Sequence, residues 1–570
     1  MGNTTPWAYL DAYRGKDFTG TWPTMPEAFK ITASRYGDRP CFTIYEPDRI
    51  SLSYKEALRI IEAVARWLHS RGVRKGDHVA LTGKNSPEWA VAFIAIHFAG
   101  AVVVPIDCQL RQEETEFLMK FANAHILFAD EEKYERFAGN KDSIGLTDIV
   151  SLKKGVGTYL YDLDGPEASD QESAIALPAE NDMAAILFTS GTTGKPKGVM
   201  LTHANLLSDN YLAQAHLELF PEDVFYGLLP IHHAYSMTVF IVVMAVGAEL
   251  VFGKRMVTKA ILKDLKQGKI TLFLGVPMLF NKLLAGIIRG LKQKGPIVYG
   301  IISMLMGISG IIKKTFKVNP GKKMFGFILD QASLTSVKTC ICGGGPLAPS
   351  VFRKFNQLGI NFIQGYGLTE TSPIITLNPI DHYKETSVGK VIPQIDMRIL
   401  NPDDRGVGEV ILKGPVVMQG YYELPEETAA VFTPEGYLKT GDLGYLDDEN
   451  YLYLTGRAKN LIVTGGGKNV YPEEIENEFQ LYEEIDQILI RGFAVDKKLK
   501  TEGIEALIYP SPEYFNDNGA KLVTEIRPRL EQIVAEVNHR LLPYQKIERI
   551  TVLDAPMEMT TTKKIKRDAV

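Results

Sequence analysis

Short apolar runs alternate with longer amphipathic stretches between about residues 78 and 365. The runs AVVVPID (101–107), MAAILFTS (183–190), AELVFG (248–253), ITLFLGV (270–276) and SVKTCIC (336–342) have the length and composition of strands. Between them, SPEWAVAFIAIHFA (86–99) and PSVFRKFNQLG (349–359) read as helices. This alternation predicts an α/β fold with layered, largely parallel sheets. From 385 to 456 the chain carries KVIPQIDMRIL, GEVILKG and YLYLTG among glycines and prolines, which predicts a β-rich subdomain. After about residue 458 the pattern changes again. A helix is expected after Tyr471-Pro472, with Glu473, Glu474 and Glu476 in its first turns. Strands QILIRGF and EALIYP, an amphipathic helix around 524–541 and a strand KIERITVL complete an α+β unit. The predicted organisation is therefore a large domain over 1–458 and a small one over 459–570.

Composition changes this picture little. With 45% hydrophobic and 23% charged residues in 570, the chain is an ordinary globular protein. Cys41 and Cys108 are isolated and Cys340 and Cys342 form a C-x-C pair, so neither a disulfide framework nor a zinc knuckle is expected. The first residues offer no signal-peptide core, and Pro6 stands where a myristoylation motif needs Ser or Thr. The expected location is the cytoplasm, with the inner face of a membrane as an option. A net charge of −5 gives no reason to expect nucleic acid.

The distribution of charge is more telling. Residues 265–329 contain no Asp or Glu and eleven Lys or Arg, so the rest of the chain carries −5 − 11 = −16. Within this stretch, PIVYGIISMLMGISGII (296–312) is apolar and flanked by basic clusters. At seventeen residues it is short of a spanning helix, for which about 20 are needed. Two readings stand side by side: a segment within 286–325 lying on a membrane surface, or a buried helix with a basic rim.

The densest local signal is Thr189-Ser190-Gly191-Thr192-Thr193-Gly194-Lys195-Pro196-Lys197-Gly198, placed directly after a strand. Three glycines let the backbone bend, four hydroxyl residues supply donors, and Lys195 and Lys197 add positive charge. Only two residues separate Gly191 from Gly194, and Pro196 follows Lys195, so this is not a Walker A loop. Phosphate binding is the expected role. The decapeptide resembles the signature loop of the adenylate-forming superfamily: acyl-CoA synthetases, luciferases and peptide-synthetase adenylation domains. The resemblance runs from about residue 25 to the C-terminus, with further motifs in the family's order.

In Gln364-Gly365-Tyr366-Gly367-Leu368-Thr369-Glu370-Thr371, a ring between glycines can stack on a base, and a Thr-Glu pair can meet phosphate and Mg²⁺. The resemblance implies Tyr366 on adenine, Thr369 at the α-phosphate and Glu370 on magnesium. It implies that Gly344, Gly345 and Pro346 line the adenine pocket together with Gly367. It also makes Asp442, in Thr440-Gly441-Asp442, the ribose anchor with Arg457 assisting. His233 of LPIHHAY is implied to line the acyl site, with His232 beside it as a source of confusion. Lys459 takes the hinge position. The resemblance likewise implies that Gly466, Gly467 and Lys468 belong to the face of a mobile small domain along which coenzyme A would reach the site. In TTTKKIKR (560–567), alignment on Ile565-x-Arg567 selects Lys564 as the catalytic lysine, with Lys563 as the alternative.

The implied reaction is ATP-dependent activation of a carboxylic acid, in particular a long-chain fatty acid, to acyl-AMP, followed by transfer to coenzyme A. Family members acting on acetate or propionate carry a tryptophan at the position of Gly367. All four tryptophans here (Trp7, Trp22, Trp67 and Trp89) lie far upstream, which leaves the acyl pocket open. Three alternatives stay open: a medium-chain acid, an aromatic acid, or a carrier protein in place of coenzyme A.

Overall fold

The computed structural model describes residues 5–164, 177–190, 196–464, 468–496, 501–517, 522–560 and 565–567. Two large sheets organise the chain up to Arg457. In the seven-stranded sheet, Asp148–Ser151, Ala124–Ala129, His78–Thr82, Val102–Ile106 and Met183–Ser190 run parallel. Pro196–Thr202 then turns back antiparallel along Met183–Ser190.

The second sheet has thirteen strands and two characters. Its parallel part includes Pro40–Ile44, Glu249–Phe252, Leu272–Gly275, Thr339–Cys342 and Asn361–Gly367. From Ile374 to Arg457 it continues with antiparallel strands. The β-rich segment expected at 385–456 is thus an extension of the same hydrogen-bonded sheet. The change of direction falls beside Tyr366 and Gly367, where the pairing register shifts.

Two helices fill the space between the sheets. Pro87–Phe98 begins at Ser86, whose hydroxyl accepts from the Trp89 amide, and all twelve of its residues are buried. Ala234–Val246 starts at His233 and stops at Gly247, whose φ of 83° no ordinary residue adopts easily. A helix apolar on every side has no solvent face, so it belongs inside. One apolar cluster joins both helices to Val79 and Leu81 of the first sheet and to Phe42 and Leu250 of the second.

The last part of the chain has its own core, built from Ile462, Val470, Ile475, Ile490, Leu530 and Val534 among others. Ile485–Asp496 pairs antiparallel with Thr501–Pro510, and Arg549–Val552 adds in parallel. Helix Arg527–Asn538 buries Leu530, Ile533, Val534 and Val537 at the spacing of one face. The four cysteines are free, three of them buried, and burial pushes the Cys108 thiol up to about 11.

Candidate active site

The two ends of the glycine-threonine motif lie on paired antiparallel strands. Thr189 pairs with Lys197 and Ser190 with Pro196, so the ladder ends where the motif's central residues begin. Gly191, Thr192, Thr193, Gly194 and Lys195 lie outside the described residues. Gly198 is forced by packing, because a Cβ there would stand 2.8 Å from Ile186 Cγ2. Lys197 has partners within the protein. Its ammonium pairs with Glu427 and lies 4.9 Å over the Tyr421 ring.

The end of strand Asn361–Gly367 brings three predicted residues together. Tyr366 donates its hydroxyl to Asp442 Oδ2 at 2.5 Å, and Arg457 Nε meets Asp442 Oδ1 at 2.9 Å. Asp442 and Arg457 face each other across neighbouring strands, which fixes the pair through backbone register. Asp442 is 5% exposed, and its amide donates to Thr440 Oγ1. Burial pushes the Tyr366 phenol well up, and the Asp442 charge adds to this, so it remains a neutral donor. The Asp442 charge likewise raises Arg457. A carboxylate held by a phenol and a guanidinium is a fixed acceptor suited to vicinal hydroxyls.

Gly367 has a stricter requirement than an open pocket. A Cβ there would lie 1.5 Å from the Pro373 carbonyl oxygen. The backbone contact by itself demands glycine, so the absence of a tryptophan at this point carries less information about the acid.

Thr369 opens a short turn, Thr369–Thr371, that presents Glu370. Glu370 Oε1 accepts from the Tyr421 hydroxyl at 3.0 Å, and its carbonyl accepts from the Met418 amide. Among the described residues, no group of three or more His, Cys, Asp or Glu could hold a metal. One oxygen ligand from the protein nevertheless fits Mg²⁺, which takes one or two carboxylates and completes its shell with water and phosphate.

Gly343 and Gly344 leave the strand Thr339–Cys342 beside the ring of Tyr235, and Gly345 lies against Pro277. The Tyr235 hydroxyl donates to the carbonyls of Ile341 and Gly275, at 3.1 and 3.3 Å. Gly344 has φ of 80°. Pro346 is held by a residue far along the chain, Gln480. Gln480 Nε2 donates to the Pro346 carbonyl at 2.9 Å, and Gln480 Oε1 accepts from the Ala348 amide at 2.8 Å. Sequence reasoning missed Gln480, since nothing in a lone glutamine signals such a clasp.

His232 and His233 are distinguished by burial. His232 is 8% exposed, with Nε2 3.6 Å from Asp107 Oδ2, while half-buried His233 precedes the central helix with its ring 4.3 Å away. Burial raises Asp107, but contact with His232 and the charges of both histidines outweigh it and leave it lowered. Lys459 is exposed in the turn Ala458–Asn460. The Lys468 carbonyl accepts from the Thr464 amide and the Lys468 amide donates to the Thr464 hydroxyl, and Gly466 and Gly467 lie outside the described residues.

The basic segment at the end is not a free tail. Met559 bridges Ile565, and the Lys566 amide donates to the Glu558 carbonyl. Arg567 meets both oxygens of Glu476 at 2.6 Å, and Glu473 at 3.5 Å. Lys564 and its alternative Lys563 lie outside the described residues, between these fixed points. The charge of Lys566 bears on Glu114, so the segment stands near helix Gln112–Phe121. The Phe121 ring of that helix touches Phe188 on the hairpin strand and Tyr422 beside Gly198.

Residues 29–422 match the family described as AMP-binding enzyme. A long-chain-fatty-acid–CoA ligase from Bacillus subtilis is 27% identical over 560 residues, covering 92% of this chain and 90% of its own. A feruloyl-CoA synthase from Amycolatopsis is 26% identical, covering 90% and 92%. ATP-bound MatB from Rhodopseudomonas palustris has the same fold, with a TM-score of 0.75, 24% identity and coverage of 96% and 98%. The matched stretch takes in the hairpin, the Gly343–Pro346 turn and the Tyr366–Glu370 segment, and the protein belongs to the AMP-binding enzyme family as an adenylate-forming ligase.

Proposed function

We propose that this enzyme joins a fatty acid, long-chain by preference, to AMP at the expense of ATP, and then transfers the acyl group to coenzyme A. The observation that carries the reading is the convergence of Tyr366, Asp442 and Arg457 on one point. The chain-length preference rests on similarity to the Bacillus ligase and to a mycobacterial long-chain-fatty-acid–CoA ligase that is 28% identical over 577 residues.

In this reading Asp442 and Arg457 hold the ribose, Tyr366 and the Gly344–Pro346 turn hold adenine, and donors of 189–195 hold the phosphates. Thr369 meets the α-phosphate, and Glu370 holds Mg²⁺. The metal, when bound, neutralises phosphate charge that would repel the incoming carboxylate. The acid, placed beside His233, attacks the α-phosphorus through its carboxylate oxygen, and pyrophosphate leaves. Lys564 offsets the charge that develops, because a cation fixed beforehand needs no rearrangement at the moment of reaction. The small domain, 459–570, then turns about Lys459 and brings the face containing Gly466, Gly467 and Lys468 toward the adenylate. The coenzyme A sulfur attacks the acyl carbon, and AMP leaves.

A second reading, an aromatic acid, is favoured by the feruloyl-CoA synthase similarity. Pyrophosphate release and thiol consumption across saturated fatty acids, hydroxycinnamates and benzoates decide between them. Highest kcat/KM on a hydroxycinnamate would sink the fatty acid assignment. Acyl-AMP formed but accepted only by a carrier protein would sink the coenzyme A assignment.

One smaller effect follows from the Tyr421 contact. Tyr421→Phe removes the hydroxyl that orients Glu370, a hydrogen bond to a charged group worth roughly 1.5 kcal/mol. The Mg²⁺ concentration for half-maximal pyrophosphate release is expected to rise about tenfold, at an unchanged apparent KM for the acid. An unchanged Mg²⁺ dependence would remove Glu370 from the metal site.

A further inference from the structure

The helix Pro296–Phe316 has 21 residues and mean hydropathy 1.6 in its most apolar stretch, of which only 22% is buried. The buried-helix reading of this segment is therefore excluded. Its inner face carries Ile302, Met306, Ser309 and Lys313. Lys313 donates to Asn356 and Asn361 at 2.7 and 2.8 Å, and burial pushes it down to about 8. A Cβ on Gly310 would come within 2.8 Å of Gln357 Cγ, so the helix lies close on Pro349–Gln357.

The outer face is a different matter. Ile297, Ile301, Met304, Ile308 and Ile311 are 76%, 50%, 60%, 42% and 66% exposed. Their spacing of four, three, four and three residues places them in one stripe, opposite the buried four. A continuous apolar stripe of this size on a protein surface marks a contact site. We propose that this stripe docks on an anionic lipid bilayer, with the helix lying in the interface plane.

Charge selects this occupant. Exposed Lys292 and Lys294 stand before the helix, and exposed Lys314 and Lys323 stand at and beyond its end. No acidic residue occurs between Asp264 and Asp330 to balance them. A second copy seated on the stripe would bring lysines against lysines in either orientation, since both ends are basic. Anionic headgroups instead meet those lysines while the isoleucines enter the acyl boundary. Length alone would permit a spanning helix, but spanning would strip Lys313 and Gly310 from the body they are packed on. Docking in the plane keeps both contacts.

The test is co-flotation of the full chain with vesicles of neutral phosphatidylcholine, or of the same lipid with about one third phosphatidylglycerol. No nucleotide or acid is added, so the outcome is separate from the substrate assignment. Binding to the anionic vesicles is expected at low salt, weakened at least tenfold by neutral lipid or by about 0.5 M salt. The pair Ile301→Glu and Ile308→Glu is expected to lose binding at least tenfold while keeping the thermal transition and the basal pyrophosphate release. Charge reversal at Lys292, Lys314 and Lys323, which leaves the apolar stripe intact, is expected to do the same. Equal affinity for neutral and anionic vesicles would overturn the proposal. So would absence of binding to either, or light scattering that shows a dimer dispersed by the isoleucine pair.

Discussion

Replacing Lys564 by alanine is expected to cut adenylate formation about a thousandfold while leaving the second half-reaction within about threefold of normal. Two anionic reactants must meet at the α-phosphorus, and charge builds on its oxygens as the acid attacks. A fixed cation helps only that step. Once the mixed anhydride exists, thiol attack on the acyl carbon no longer involves charge on phosphorus in the same way. The measurement is pyrophosphate release from acid and ATP, set beside thioester formation from supplied acyl-AMP. Equal loss in both would assign the lysine a structural role, and a large loss confined to Lys563→Ala would move the role one residue upstream. Met559 bridges Ile565, and Lys566 acts electrostatically on Glu114 near the hairpin sheet.

What the sequence disclosed about this site depended on how local each signal was. Tyr366, Glu370, Asp442 and Arg457 sit in short motifs that carry the family resemblance, and the fold brings Tyr366, Asp442 and Arg457 into contact. Strands and central helices were legible for a related reason. Runs such as 183–190 and 86–99 are apolar throughout, and the structure places them at Met183–Ser190 and Pro87–Phe98. Contacts between distant segments left no such trace. The Glu427 partner of Lys197 is 230 residues away, so the motif showed the lysine's charge but not the carboxylate that meets it. Gly367 read as a statement about the acyl pocket, and the motif gave no sign of the Pro373 carbonyl that crowds it. Gln480, reaching back to Pro346 and Ala348, could not be singled out by composition. The hydropathy of 296–312 was equally compatible with burial and exposure, because the partner surface, Asn356 and Gln357, lies in another part of the chain.

Arg567→Ala is expected to lower adenylate formation about a hundredfold, with a much smaller effect on thioester formation from acyl-AMP. Arg567 lies three residues beyond Lys564 and binds both oxygens of Glu476 and the carbonyl of Ile490. Without that anchor the lysine loses its bearing, and a displacement of about 1 Å in a reacting group can cost a hundredfold. The same substitution has a pH signature that a purely catalytic residue would lack. Burial raises Glu476 from 4.5 to about 7, and the Arg567 charge is the main influence holding it down. A carboxyl whose folded value is raised binds its proton more tightly when folded. Stability is then fully present at low pH and falls as pH rises from the unfolded value through the folded one. Removing Arg567 raises the folded value further, so the fall continues to higher pH than in the parent. Near pH 6 Glu476 is mostly protonated in both proteins, and the deficit is the lost hydrogen bonding, roughly 2 kcal/mol. Between about pH 7 and 9 the parent levels off while the variant keeps losing stability, so the gap widens. Denaturant midpoints at pH 6, 7, 8 and 9 give the comparison. A gap that stays constant or narrows with rising pH would show that Arg567 does not govern Glu476. Adenylation and thiolation falling equally would show that the anchor does not position the lysine.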